Sequence, residues 1–248
     1  MINREALVRR HCPVLTEIDA ESPLSVGNGE FAFTADITGF QTLYDEYEMF
    51  PLCTMSQWGW HTSSAVASYT FEDLEMTRYC IDGKEFSYAS LPQPGNEHVY
   101  NWLRHNPHRL NLARISLLWD GNAISANDIT EITQKLDLYN GILSGSFSLH
   151  NEKIKVQTIC AKNYDILAFS IDASPSCFEK LSICISFPYG SHLKNASDWE
   201  SPGLHKSNIT QNADGDYLIN RILDNDNKRV CSSFEIEQIN KRFLEVSK

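Results

Sequence analysis

The stretch from Arg109 to Lys162 decides the fold. It reads RLNLARISLLWDG (109–121), then, from residue 129, ITEITQKLDLYNG (129–141) and ILSGSFSLHNEKIKVQTICAK (142–162). Apolar and polar residues alternate along these segments with the period of two that half-buried strands require. Asp120-Gly121 and Asn140-Gly141 break the pattern, and both dipeptides tolerate the left-handed backbone of tight hairpin turns. His150-Asn151 separates two further strands. DILAFSIDAS (165–174) and KLSICISFPYG (180–190) follow at similar spacing. DYLINRILDNDN (216–227) and KRVCSSFEIE (228–237) form another hairpin pattern around Asp224 to Asn227. Strands with turn signals at short, fairly regular spacing and almost no helical period predict an all-β fold, a large antiparallel sandwich.

Upstream the signal is more varied. Residues 1–22 read as an arm or short helix, with Asn3 capping EALVRR and Pro13 ending it. In SPLSVGNGEFAFTADITGFQTL (22–43), Gly27-Asn28-Gly29 is a turn, FAFTADI alternates, and Gly39 turns the chain into a second strand, FQTLYD. Residues 44–68 carry no sustained period and read as a long surface loop. Their aromatic load (Tyr44, Tyr47, Phe50, Trp58, Trp60) argues against disorder. FEDLEMTRYCIDG (71–83) is a short helix or strand, and YNWLRHN (100–106) a helical turn closed by Pro107. The expected organisation is an N-terminal arm, 1–22, and one β domain, 23–248.

Composition narrows the function classes. The 248 residues are 42% hydrophobic and 21% charged, which is globular rather than disordered. The net charge is −11 without basic blocks, so neither nucleic acid nor an anionic membrane surface is an expected partner. No apolar run approaches the ~20 residues of a membrane span, and the N-terminus carries no apolar secretory core. Seven cysteines at irregular spacing, with no C-x-x-C pair, read as reduced thiols and a cytoplasmic location. Asn195 and Asn208 open Asn-x-Ser/Thr triplets of the kind that arises by chance.

Two stretches resemble a known family. SPLSVGNGEFAFTADITGFQTL (22–43) is similar to the segment that opens the first hairpin in glycosidases and disaccharide phosphorylases allied to glycoside hydrolase family 65. Residues 119–174 are similar to the same clan's order of a strand ending in Asp120-Gly121, then Leu136-Asp137-Leu138 with Gly141, a strand pair, and Asp165 before a strand. TMSQWGWH (54–61) and WLRHNPHRLNLARI (102–115) fit a bacterial subgroup of that kind. The resemblance implies a galactose-mutarotase-like super-sandwich of two large antiparallel sheets with few short helices. It further implies a catalytic (α/α)6 barrel beyond residue 248 as partner, an oligosaccharide or glycoside as ligand, and no cofactor. No position here matches the family's catalytic motifs, so the implied role is a supporting domain that lends loop residues to a sugar cleft. The alternatives are a free-standing enzyme like the aldose mutarotases, which use a His and a Glu, and a stand-alone carbohydrate-binding module.

Candidate site residues follow from chemistry. A phosphate cradle needs a Gly-rich loop before a helix. Here the glycines precede a strand, so Asn28 and Glu30 either shape a turn or reach a sugar hydroxyl. In Gln57-Trp58-Gly59-Trp60-His61, each indole offers a flat apolar face to sugar C–H groups and an N–H to a hydroxyl. His61 supplies a hydrogen bond or a proton. The alternative is that Trp58 and Trp60 plug the sandwich or a domain seam. His105, His108 and Arg109 cluster at a turn, without the spacing of a metal site. Arg109 is expected to pair with a carboxylate or orient a loop. Neighbouring acids such as Asp45, Glu46 and Glu48 read as solvated charge, because glycoside chemistry needs carboxyls across a cleft.

Overall fold

The structure is a computed structural model and describes residues 2–63, 69–92, 94–211, 213, 216–224, 228–234 and 244–246. In chain order its elements are α1 (Arg4–Arg9), β1 (Val14–Leu15), β2 (Leu24–Gly27), β3 (Phe31–Ala35), β4 (Thr54–Ser56), β5 (Trp60–His61), β6 (Met76–Ile81) and β7 (Lys84–Ala89). There follow α2 (Glu97–His105), β8 (His108–Arg109), β9 (Arg114–Trp119), β10 (Asn122–Ala123), β11 (Ile129–Asp137), β12 (Ile142–Leu149), β13 (Glu152–Cys160) and β14 (Leu167–Asp172). The chain continues through α3 (Pro175–Phe178), β15 (Leu181–Ser186), β16 (His205–Gln211), β17 (Tyr217–Leu223), β18 (Lys228–Phe234) and β19 (Leu244–Val246). The protein is all-β with a few short helices.

The alternating stretch that dominates the sequence forms the largest sheet. β11 to β14 run as an antiparallel meander, with Leu136 opposite Leu143 and Phe147 opposite Ile154. At the β12–β13 turn, His150 and Asn151 have φ of 48° and 67°, the left-handed pair that a two-residue hairpin needs to match strand twist. The N-terminal arm joins this sheet: β1 pairs with β11, and α1 is capped by the Asn3 side chain as its sequence implies. A second sheet, in the order β10-β9-β15-β19, carries an antiparallel β9–β15 pair. Phe147, Leu149, Ile154 and Val156 of the first sheet and Leu117 and Leu181 of the second share one buried core. A second core joins Phe31, Phe33 and Ala35 of β3 to Leu110, Leu112, Leu143 and Leu223. Wholly buried Arg221 ties β17 to these layers by donating to the Leu112 and Pro188 carbonyls.

Two expectations need correction. Residues 40–45 are not the return strand of a hairpin at Gly39; β3 instead pairs with β2 and β4. Side chains take over the backbone hydrogen bonds there. Asp36 accepts from the Thr38 and Leu43 amides and the Thr38 hydroxyl, while the β9 amides of Ile115 and Leu117 donate to Gln41 and Thr42. Phe40 and Leu43 thereby stay in the core without strand geometry. The second correction concerns 44–63, which is less a surface loop than a path through the body. Tyr47, Leu52, Thr54 and Ser56 are buried, and β4 and β5 are too short to register as a period. Residues 64–68 of that stretch lie outside the described residues, as do 225–227 of the β17–β18 hairpin, whose strands pair as expected.

Burial pushes the Asp36 carboxyl up from 3.8 to about 6, against the opposing pull of its hydrogen bonds. The native state therefore holds this proton more tightly than the unfolded chain. That contribution is full below the unfolded value and is lost as pH rises through the native one. Compared with Asp36→Asn, which does not titrate, the native sequence should gain stability on the order of 3 kcal/mol between about pH 7 and about pH 4. Urea midpoints of both proteins at the two pH values check this, and a constant difference contradicts it. No helix among the described residues is long and apolar enough to cross a membrane.

Candidate functional site

β5 and β8 form a two-residue ribbon, with Trp60 opposite Arg109 and His61 opposite His108. Side chains alternate across a strand, so one pair must face out and the other in. Trp60 is 51% exposed and Arg109 is exposed, whereas His61 and His108 are buried. The Arg109 guanidinium carbon lies 4.1 Å from the Trp60 ring centroid, a cation–π contact. Its Nη1 donates to the Ser56 and Gln57 carbonyls at 2.9 and 3.0 Å, which fixes the side chain against the preceding turn. Arg109 thus orients a loop through its carbonyls, and its expected carboxylate is not the partner it uses. Trp58, 48% exposed, donates its indole N–H to Asp165 at 2.8 Å. Ser56 donates to the same oxygen.

Beside this face lies an open depression of 490 Å³, lined by Ser25, Gly27, Glu30, Ser56, Gln57 and Arg109 among others. The structure thus brings together three stretches far apart in sequence: 25–32, 55–57 and 109. Asn28 stands behind them as a clamp. Its Nδ2 donates to the Ala161 and Tyr164 carbonyls and its Oδ1 accepts from the Glu30 and Phe31 amides, so every hydrogen-bonding position of the amide is engaged. Gly27 has no room for a side chain, since a Cβ there would lie 2.5 Å from the Phe31 oxygen. Glu30 is the one carboxylate among the described residues that line the depression.

The inward face of the ribbon is a hydrogen-bonded cluster. His61 Nδ1 lies 3.0 Å from His108 Nε2, His61 Nε2 lies 2.6 Å from Asp224 Oδ2, and His108 Nδ1 donates to the His105 carbonyl at 2.8 Å. Tyr189 donates its hydroxyl to the other oxygen of Asp224. Burial, opposed by the His105 carbonyl, holds His108 below the usual imidazole range. Burial and then the Asp224 hydrogen bond push the Tyr189 phenol up. Gly190 packs directly on the two imidazoles, where a Cβ would lie 2.5 Å from His61 Nδ1 and 2.9 Å from His108 Nε2. Asn106 anchors the ribbon's end, accepting from the Ser63 amide and donating to the Trp102 carbonyl.

The outward pair and both histidines are legible in the sequence, whereas Asp165, Tyr189, Gly190 and Asp224 are not. Asp224 reads as an ordinary turn residue, and nothing local to Pro188-Tyr189-Gly190 marks a partner for His61. No group of three or more His, Cys, Asp and Glu among the described residues could hold a metal ion. No protein-family model matches the chain, and no curated protein matches it. The chemistry on offer is therefore read from the geometry. Two half-exposed indoles, a fixed guanidinium and a carboxylate suit a ligand with flat apolar faces and a rim of hydroxyls. The two imidazoles are spent on the buried cluster and leave the depression without a histidine acid or base.

Proposed function

We propose that this chain is the supporting β-sandwich of a glycoside hydrolase or phosphorylase similar to family 65, contributing one wall of a sugar cleft. The observation that carries the reading is convergence. Gly27, Gly29, Glu30, Ser56, Gln57 and Arg109, from the stretches with the family resemblance, line one depression beside the exposed Trp60 ring. Sugar rings stack on indole faces while guanidinium and carboxylate groups take their hydroxyls. Hydrolysis of a glycosidic bond uses two carboxyls across a cleft, and among the described residues the lining supplies Glu30 alone. The acid and base are accordingly assigned to a helical barrel that closes over this face. Free thiols at Cys53 and Cys177 favour the reducing cytoplasm as its location.

The test uses the purified chain and a panel of disaccharides, with binding followed by calorimetry. Weak binding of at least one disaccharide is expected, without glycoside cleavage. Trp60→Ala should abolish it, because the ring is the apolar platform, while leaving the fold intact at a half-exposed position. Binding unaffected by Trp60→Ala overturns the assignment. Anomer exchange catalysed by the chain alone would favour the mutarotase-like alternative instead.

A further inference from the structure

We propose that His61, His108 and Asp224 are positioning residues for the Trp60–Arg109 face: the cluster keeps one proton beyond two neutral imidazoles and a carboxylate, and the face holds its geometry only while that proton stays. The His105 carbonyl can only accept, so the hydrogen in that contact belongs to His108 Nδ1. The nitrogen pair between the two rings needs a second hydrogen, and the contact between His61 Nε2 and Asp224 needs a third. Two neutral imidazoles and an ionised carboxylate supply two. The third resides on His61, on His108 or on Asp224, and any of these placements satisfies all the contacts.

Removing it leaves no satisfactory arrangement. If the remaining His61 hydrogen is on Nδ1, the Nε2 lone pair faces the Asp224 carboxylate across 2.6 Å. If it is on Nε2, two nitrogen lone pairs face each other across 3.0 Å. Either contact must open, in a site where both side chains are buried and water does not compensate. Among the described residues, Tyr189, His105 and Arg109 around the cluster are already engaged. Tyr189 already donates to Asp224 and exchanges a hydrogen bond with Ser63, and Asp198 adds negative charge near the phenol. His105 stacks on His192 at 3.6 Å, and Arg109 lies across the ribbon over Trp60. The ribbon has two cross-strand pairs, His61–His108 and Trp60–Arg109, so opening the inner pair frees the outer one.

The sugar-binding half of this inference rests on the function proposed above; the proton count does not. The experiment follows imidazole and indole signals of the isotope-labelled chain by NMR as pH is raised, with maltose as the sugar probe. The expected result is three hydrogens on the cluster at neutral pH and loss of one on the alkaline side. The Trp60 indole signal shifts in the same step, and any maltose affinity is lost with it. In Asp224→Asn the amide N–H donates to a neutral His61, the extra proton is no longer needed, and the Trp60 step should vanish. Two hydrogens at neutral pH, or a Trp60 signal that ignores the step, overturns the proposal in the wild-type chain alone, whether or not the variant folds. Failure of maltose to bind at any pH counts against the sugar reading and leaves the proton count to stand or fall on its own signals.

Discussion

Asp224→Ala should lower the stability of the chain by about 3–5 kcal/mol, the usual cost of removing one member of a buried, hydrogen-bonded ionisable pair. His61 loses its hydrogen-bond partner, Tyr189 loses the group its hydroxyl donates to, and both side chains are buried. The loss also unties the end of β17 from the β5–β8 ribbon. Urea denaturation followed by tryptophan fluorescence measures it, with Asp45→Ala as the control. Asp45 is exposed at the surface, and its removal should move stability by no more than about 0.5 kcal/mol. A cost for Asp224→Ala as small as the control's would mean that the cluster contributes nothing to holding the site together.

The second large effect concerns the sandwich itself. Phe147→Ala should cost about 3–5 kcal/mol, combining lost apolar transfer with the cavity left behind. Phe147 is wholly buried in β12, within the core that the five-stranded sheet shares with Leu117 and Leu181 of the β9–β15 pair. Phe86 gives the contrast. It lies on the β6–β7 hairpin, 41% exposed, and Phe86→Ala should change stability by less than about 1 kcal/mol. Calorimetric unfolding of the two variants separates these outcomes. Equal effects would show that the two sheets do not share one core.

The residues explain which parts of this architecture could be read from sequence. Asn3 capping α1 and the dipeptides Asp120-Gly121, Asn140-Gly141 and His150-Asn151 act through their own backbone, so local pattern reveals them. The β11–β14 meander is legible because each strand pairs with its sequence neighbour and one face is buried. The 36–43 segment is not, because the Asp36 side chain satisfies its Thr38 and Leu43 amides while the Gln41 and Thr42 side chains accept from β9 amides, and all three read as strand-compatible polar residues. The site divides the same way. Trp58, Trp60, His61, His108 and Arg109 stand out by residue type, but the alternation that sends Trp60 outward and His61 inward needs β8 as a partner. Asp165, Tyr189 and Asp224 reach the site from 107, 128 and 163 residues away from Trp58, His61 and His61 respectively, a distance that no local signal spans. Asn28 shows the converse case: a conspicuous residue in a Gly-rich turn whose amide is wholly engaged in holding backbone.

The proposed sugar-contact face is tested most directly by chemical-shift mapping of the labelled chain during titration with maltose and other disaccharides. The account predicts that the shifts induced by at least one of them concentrate on the Trp60 indole, the Arg109 guanidinium and the amides of Glu30 and Gln57. Shifts that gather on another surface while these four stay fixed would contradict it, as would the absence of any response across the panel.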